Sequence, residues 1–89
     1  MLLFKKAILE IGIIMETTYL DQYIRFGLKV QYYRKLKGLT QESFADKIDR
    51  SWSFVAKVES PTRAFGVSMD TLFKMAEVLE VPVSKLFDD

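Results

Sequence analysis

Apolar positions recur with a helical period over most of the chain beyond residue 18, and polar breakers divide them into short runs. Tyr23, Phe26, Val30 and Tyr33 share one face of a run from near Thr18 to Lys37, and Gly27 leaves room there for a neighbour. Thr18 with Asp21 three residues on reads as a capping-box-like start, and Gly38 supplies the left-handed residue that ends the helix. Gln41 to Ile48 carries Phe44, Ala45 and Ile48 on one side, and Trp52 to Glu59 turns Val55 and Val58 inward. Thr40 and Ser51 stand just before these runs, where a hydroxyl accepts a bond from an unpaired first-turn N–H. After a loop from Ser60 to Val67, broken by Pro61 and Gly66, Ser68 opens a fourth run with Leu72, Met75, Ala76 and Leu79 as its stripe. Val81-Pro82 stops that run, and Val83 to Phe87 predicts a fifth, short helix whose Leu86 and Phe87 close the core. The expected fold is all-α, with five helices over residues 18–89 and an apolar extension over 1–17.

The extension follows a different pattern. Residues 1–15 are too short and too interrupted by charge to span a membrane. Lys5-Lys6 before an apolar stretch is a weak signal-peptide pattern, since Glu10 splits the stretch and no small-residue cleavage site follows. Ile8 to Met15 favours a strand, and Gly12 weakens a helix there. An exposed segment of this kind invites association, so residues 1–15 are expected to form a dimerisation arm, as a strand pairing with its twin. The alternative is that Met15 is the true start and the residues before it are upstream sequence.

Composition narrows the function. With 89 residues there is room for one helical domain. The absence of Cys removes disulfides, thiolate metal sites and thiol nucleophiles, and the absence of His removes the usual general base and the commonest metal ligand. No Gly-rich phosphate loop or paired-acid motif stands out, so no enzyme, cofactor or metal site is expected. The net charge of +1 is unevenly spread: residues 22–66 hold nine basic side chains against four acids, whereas both flanks are acidic. Local positive charge at a contact surface is what phosphate binding needs.

The basic segment coincides with the paired short runs, which are separated only by Asp49 to Ser51. So short a connection forces a steep crossing, the helix-turn-helix geometry that lays a second helix in a DNA major groove. Three runs of residues carry a resemblance: Arg34-x-x-x-Gly38-Leu39-Thr40-Gln41-Glu42-x-Phe44-Ala45-x-Lys47-Ile48, then Ser51-x-Ser53-x-Val55-x-Lys57-Val58-Glu59, then Leu72-x-x-Met75-Ala76-x-x-Leu79-x-Val81 with Leu86-Phe87. From about Phe26 to Phe87 the chain resembles the lambda-repressor-like, XRE-type DNA-binding domains. That resemblance implies a dimeric, cytoplasmic transcription regulator, expected here as a repressor reading a palindromic operator in double-stranded DNA.

It also implies roles by position. Gln41 matches the residue that binds a phosphate and braces the recognition helix, while Trp52, Ser53 and Lys57 match the base-facing positions. Trp52 and Phe54 depart from the usual polar pattern, and their rings suit thymine methyls or a protein partner. Arg34 and Glu59 match an ion pair joining the first helix to the end of the third. Arg50, Ser51, Arg63, Lys37 and Lys47 are the expected phosphate contacts. Two rival readings share the sequence: the DNA-binding antitoxin of a toxin–antitoxin pair, and a protein-interaction module that has lost DNA binding.

Overall fold

The computed structural model describes residues 13–14 and 16–87. In chain order these form strand β1 (Ile13–Ile14), helices α1 (Leu20–Leu36), α2 (Gln41–Lys47) and α3 (Trp52–Val58), strand β2 (Phe65–Gly66), helix α4 (Met69–Leu79) and a 3-10 turn (Val83–Leu86).

Each helix end is made locally. The Thr40 hydroxyl accepts from Ser43 N–H at 3.0 Å while Ser43 Oγ accepts from Thr40 N–H at 2.9 Å, a reciprocal cap on α2. Ser51 and Ser68 cap α3 and α4 in the same sense, accepting from Phe54 and Thr71 N–H at 3.1 Å each. Three helices stop on one motif, in which a left-handed residue lets two N–H groups fold back on the last turn. Gly38 (φ 72°) ends α1, with Leu39 N–H on Arg34 C=O at 3.1 Å. Asp49 (φ 63°) ends α2, with Arg50 N–H on Ala45 C=O at 2.9 Å, and Glu80 (φ 58°) ends α4, with Val81 N–H on Ala76 C=O at 3.1 Å. The turn between α2 and α3 is thus made by an aspartate in a conformation that favours glycine.

The apolar stripes meet in one core: Phe26 and Val30 from α1, Phe44, Ala45 and Ile48 from α2 with its cap, Val55 and Val58 from α3, and Leu72, Met75, Ala76 and Leu79 from α4, sealed by Leu86. Gly27 is where α1 meets the end of α3. A Cβ at that position would lie 2.1 Å from the Val58 carbonyl oxygen, so only glycine admits this approach.

Several expectations need correction. There are four α-helices rather than five. The expected fifth is a single 3-10 turn, because Pro82 starts it and its bonds (Lys85 N–H to Pro82 C=O, Phe87 N–H to Ser84 C=O) span only three residues. Its Leu86 is buried, but Phe87 is largely exposed and covers the core only by stacking on Phe26 at 5.2 Å. Helix α1 starts at Leu20 with no side-chain cap; the nearby hydroxyl that accepts a bond is Thr17, from Tyr19 N–H. The loop expected from Ser60 to Val67 contains β2, which pairs antiparallel with β1 of the same chain, Ile13 opposite Gly66 and Ile14 opposite Phe65. The remaining residues expected to form the dimerisation arm, 1–12 and 15, lie outside the described ones.

Candidate nucleic-acid interface

Helices α2 and α3 place the exposed edge of α3 beside the loop that follows it. Ser53, Ala56 and Lys57 of α3, Ser60, Thr62 and Arg63 of the loop, and Phe65 of β2 line a shallow groove of about 410 Å³. Hydroxyls, two cations and no carboxylate make up its polar lining. Ser53 and Arg63 are exposed, and Lys57 is half-buried. Ser60 shapes the loop: its N–H donates to Lys57 C=O at 3.2 Å, and its hydroxyl accepts from Thr62 N–H at 3.3 Å.

Behind the groove a polar network sets the position of α3. Arg34 and Glu59 are both buried, with Arg34 Nε and Nη2 on the two carboxylate oxygens at 2.7 and 2.9 Å. The third Arg34 nitrogen donates to Leu39 C=O at 2.7 Å, which ties the α1–α2 loop to the same group. Gln31 and Gln41 each donate to Glu59 Oε1, at 3.4 and 3.0 Å. Among the described residues no buried side-chain nitrogen or oxygen lacks a partner.

The other residues singled out from the sequence are distributed as follows. Trp52 opens α3 and is 60% exposed, and its indole N–H donates to Gln41 Oε1 at 3.0 Å. Ser51 is occupied as the α3 cap. Phe54 is half-buried, edge-on to Phe65 at 5.3 Å, with the Arg50 guanidinium 5.7 Å from its centroid. Arg50 is held by structure, donating to Thr71 Oγ1 at 2.9 Å and to Asp49 C=O at 3.0 Å, which joins the turn to α4. Lys37 pairs with Glu80 at the far end of the fold and takes no part in the groove. Lys47 is exposed on the last turn of α2. Sequence reasoning missed Thr62, Ala56 and Ser60 as groove residues, and Gln31 as a fourth donor to the Glu59 carboxylate. The helical period alone puts Gln31 on the side of α1 that carries Gly27 and Arg34.

Two short capped helices joined by a left-handed turn, the second presenting a carboxylate-free groove, define a helix-turn-helix domain. The helix-turn-helix family model matches residues 30–86. A curated relative, the control protein C.MunI of a Mycoplasma species, is 40% identical over 70 residues, which cover 78% of this chain and 92% of that protein. Among solved structures, the restriction-modification controller protein C.AhdI from Aeromonas hydrophila is 31% identical, with a TM-score of 0.68 over 75% of this chain and 98% of that one. The biofilm regulator SinR, solved in complex with DNA, is 29% identical with a TM-score of 0.61 over 71% and 98% of the two chains; its DNA-binding domain is from Bacillus subtilis. The chain belongs to the XRE-type helix-turn-helix family, and it is a DNA-binding transcription regulator rather than an enzyme. Among the described residues no helix is long and apolar enough to cross a membrane.

Proposed function

We propose that the chain works as a dimeric, repressor-type regulator that reads a palindromic operator with the leading edge of α3. The observation that carries this reading is the groove beside α3, where Ser53 and Lys57 stand next to Thr62 and Arg63 with no carboxylate between them. A lysine suits the guanine acceptors of the major groove and a serine suits several bases, while the loop arginine suits a backbone phosphate. The dimer is supported by Met69 and Phe73, large apolar side chains one turn apart on α4 that are 62% and 50% exposed. Two copies related by a two-fold axis present their α3 helices to major grooves about 34 Å apart. The likeness to a control protein and to a restriction-modification controller protein supports control of a restriction-modification system as the task of this chain.

Selection of bound duplexes from random sequence at about 150 mM salt tests the proposal. A two-fold-symmetric motif bound with a Kd of about 10⁻⁸ M or tighter supports it. Recovery of no motif, or of one without symmetry, overturns it.

A further inference from the structure

Arg50 follows the left-handed turn residue Asp49 and precedes Ser51, the cap of α3. A side chain just before a cap can fix the angle at which the chain enters the helix, usually by an apolar contact with its first turns. Here that residue is a cation, and three contacts hold its guanidinium. Nη1 donates to Asp49 C=O at 3.0 Å, Nη2 donates to Thr71 Oγ1 at 2.9 Å, and Cζ lies 5.7 Å from the centre of the Phe54 ring. Thr71 is a firm anchor: it is buried, its N–H donates to Ser68 Oγ at 3.1 Å, and its Oγ1 accepts from the Ser68 hydroxyl at 3.0 Å. Phe54 stands edge-on to Phe65, and Phe65 lines the groove beside α3, whereas Arg50 and Phe54 do not. The guanidinium therefore sits two side chains behind the groove wall and joins the first turn of α4 to the first turn of α3.

We propose that Arg50 is a positioning residue: it braces the leading edge of α3 and the groove wall against α4, and touches no phosphate. This deepens the DNA-binding reading above, rests on it, and reverses the phosphate contact expected for Arg50 from the sequence. A lysine cannot replace it, because an ammonium is a point donor on a flexible stem, while the two acceptors here are spanned by one planar fork.

Salt dependence separates a brace from a phosphate contact, since each neutralised phosphate adds about 0.9 to the slope of log Kd against log salt. Affinity for the selected operator and for an unrelated duplex is measured across a salt series for wild type, Arg50→Met, Arg50→Lys, Thr71→Val and the double variant Arg50→Met with Thr71→Val. Melting curves set a temperature at which all five are folded. Arg50→Met, Arg50→Lys and Thr71→Val are each expected to bind the operator about three- to tenfold more weakly with the wild-type slope. The double variant is expected to bind no worse than Arg50→Met alone, since the second change breaks a link already lost. A slope lower by about one in Arg50→Met would make Arg50 a phosphate contact and overturn the assignment. Wild-type affinity in any of the three single variants, or additive losses in the double, would overturn it as well. A wild type that binds both duplexes alike would refute sequence readout while the slopes still decide the role of Arg50, and one that binds neither would refute both.

Discussion

Glu59 is buried where three helices converge, and it accepts from Arg34 twice, from Gln41 and from Gln31. Removing it leaves the Arg34 guanidinium buried without its counter-charge. Breaking one side of a buried pair costs about 3–5 kcal/mol, far more than an exposed pair would. Glu59→Ala is therefore expected to lower the melting temperature by more than about 12 °C, and a melting curve within a few degrees of wild type would remove the network from the account of stability. Asp49 presents the opposite case. It holds φ at 63° in the turn between α2 and α3, where a Cβ is strained. Relief of that strain outweighs the extra backbone freedom of glycine, so Asp49→Gly is expected to stabilise the fold by about 0.5–1 kcal/mol, read as a higher denaturant midpoint with an unchanged slope.

At the scale of elements, α3 is positioned by α1 as much as by α2. Gly27 brings α1 against the last turn of α3, and the atom a Cβ would meet is a backbone oxygen that cannot swing aside. Gly27→Ala gains about 1 kcal/mol of helix propensity but must push the helices apart, with an expected net loss of about 1–2 kcal/mol and weaker DNA binding at temperatures where the fold persists. Calorimetry with binding isotherms at 20 °C below the melting point checks both parts. Much of this arrangement was legible in the sequence. The caps Thr40, Ser51 and Ser68, the glycine ending α1 and the inward stripes all follow from contacts within a turn or two. What was not legible depends on distant neighbours. β2 exists only because Ile13–Ile14 lies beside Phe65–Gly66. Phe54 is covered by Phe65, Arg50 is claimed by Thr71, and the indole of Trp52 is turned onto Gln41, none of which has a local sequence signal. At α1, Thr18 with Asp21 has the spacing of a cap, but it is the preceding hydroxyl, Thr17, that takes the bond.

Across the whole molecule, charge is unevenly spread. The groove carries Lys57 and Arg63, whereas α4 and the chain beyond it carry the acidic excess. Met69 and Phe73 are exposed on α4 and absent from the groove lining, so a second copy can cover them while α3 stays free. Phe73→Glu is expected to convert the proposed dimer to monomer in sedimentation at micromolar concentration and to weaken DNA binding at least tenfold. A variant that stays dimeric would move the interface elsewhere. The two ends of the helical array are joined by Lys37 and Glu80, whose carboxyl is held below its usual value of 4.5 by the hydrogen bond from Lys37 and then by its charge. A depressed carboxyl stabilises the fold at neutral pH, and that contribution fades as pH falls through the lowered value.

The shared carboxylate at Glu59 has a consequence for motion. Its donors come from α1 and α2, and one of those donors, Arg34, also holds the carbonyl of Leu39, so fluctuations that release α3 must loosen the α1–α2 connection as well. Occupancy of the groove is then expected to slow amide hydrogen exchange at positions 34–39, residues that do not line it. By thermodynamic linkage, the opened form of that connection binds the ligand more weakly, by the factor with which the ligand suppresses the opening.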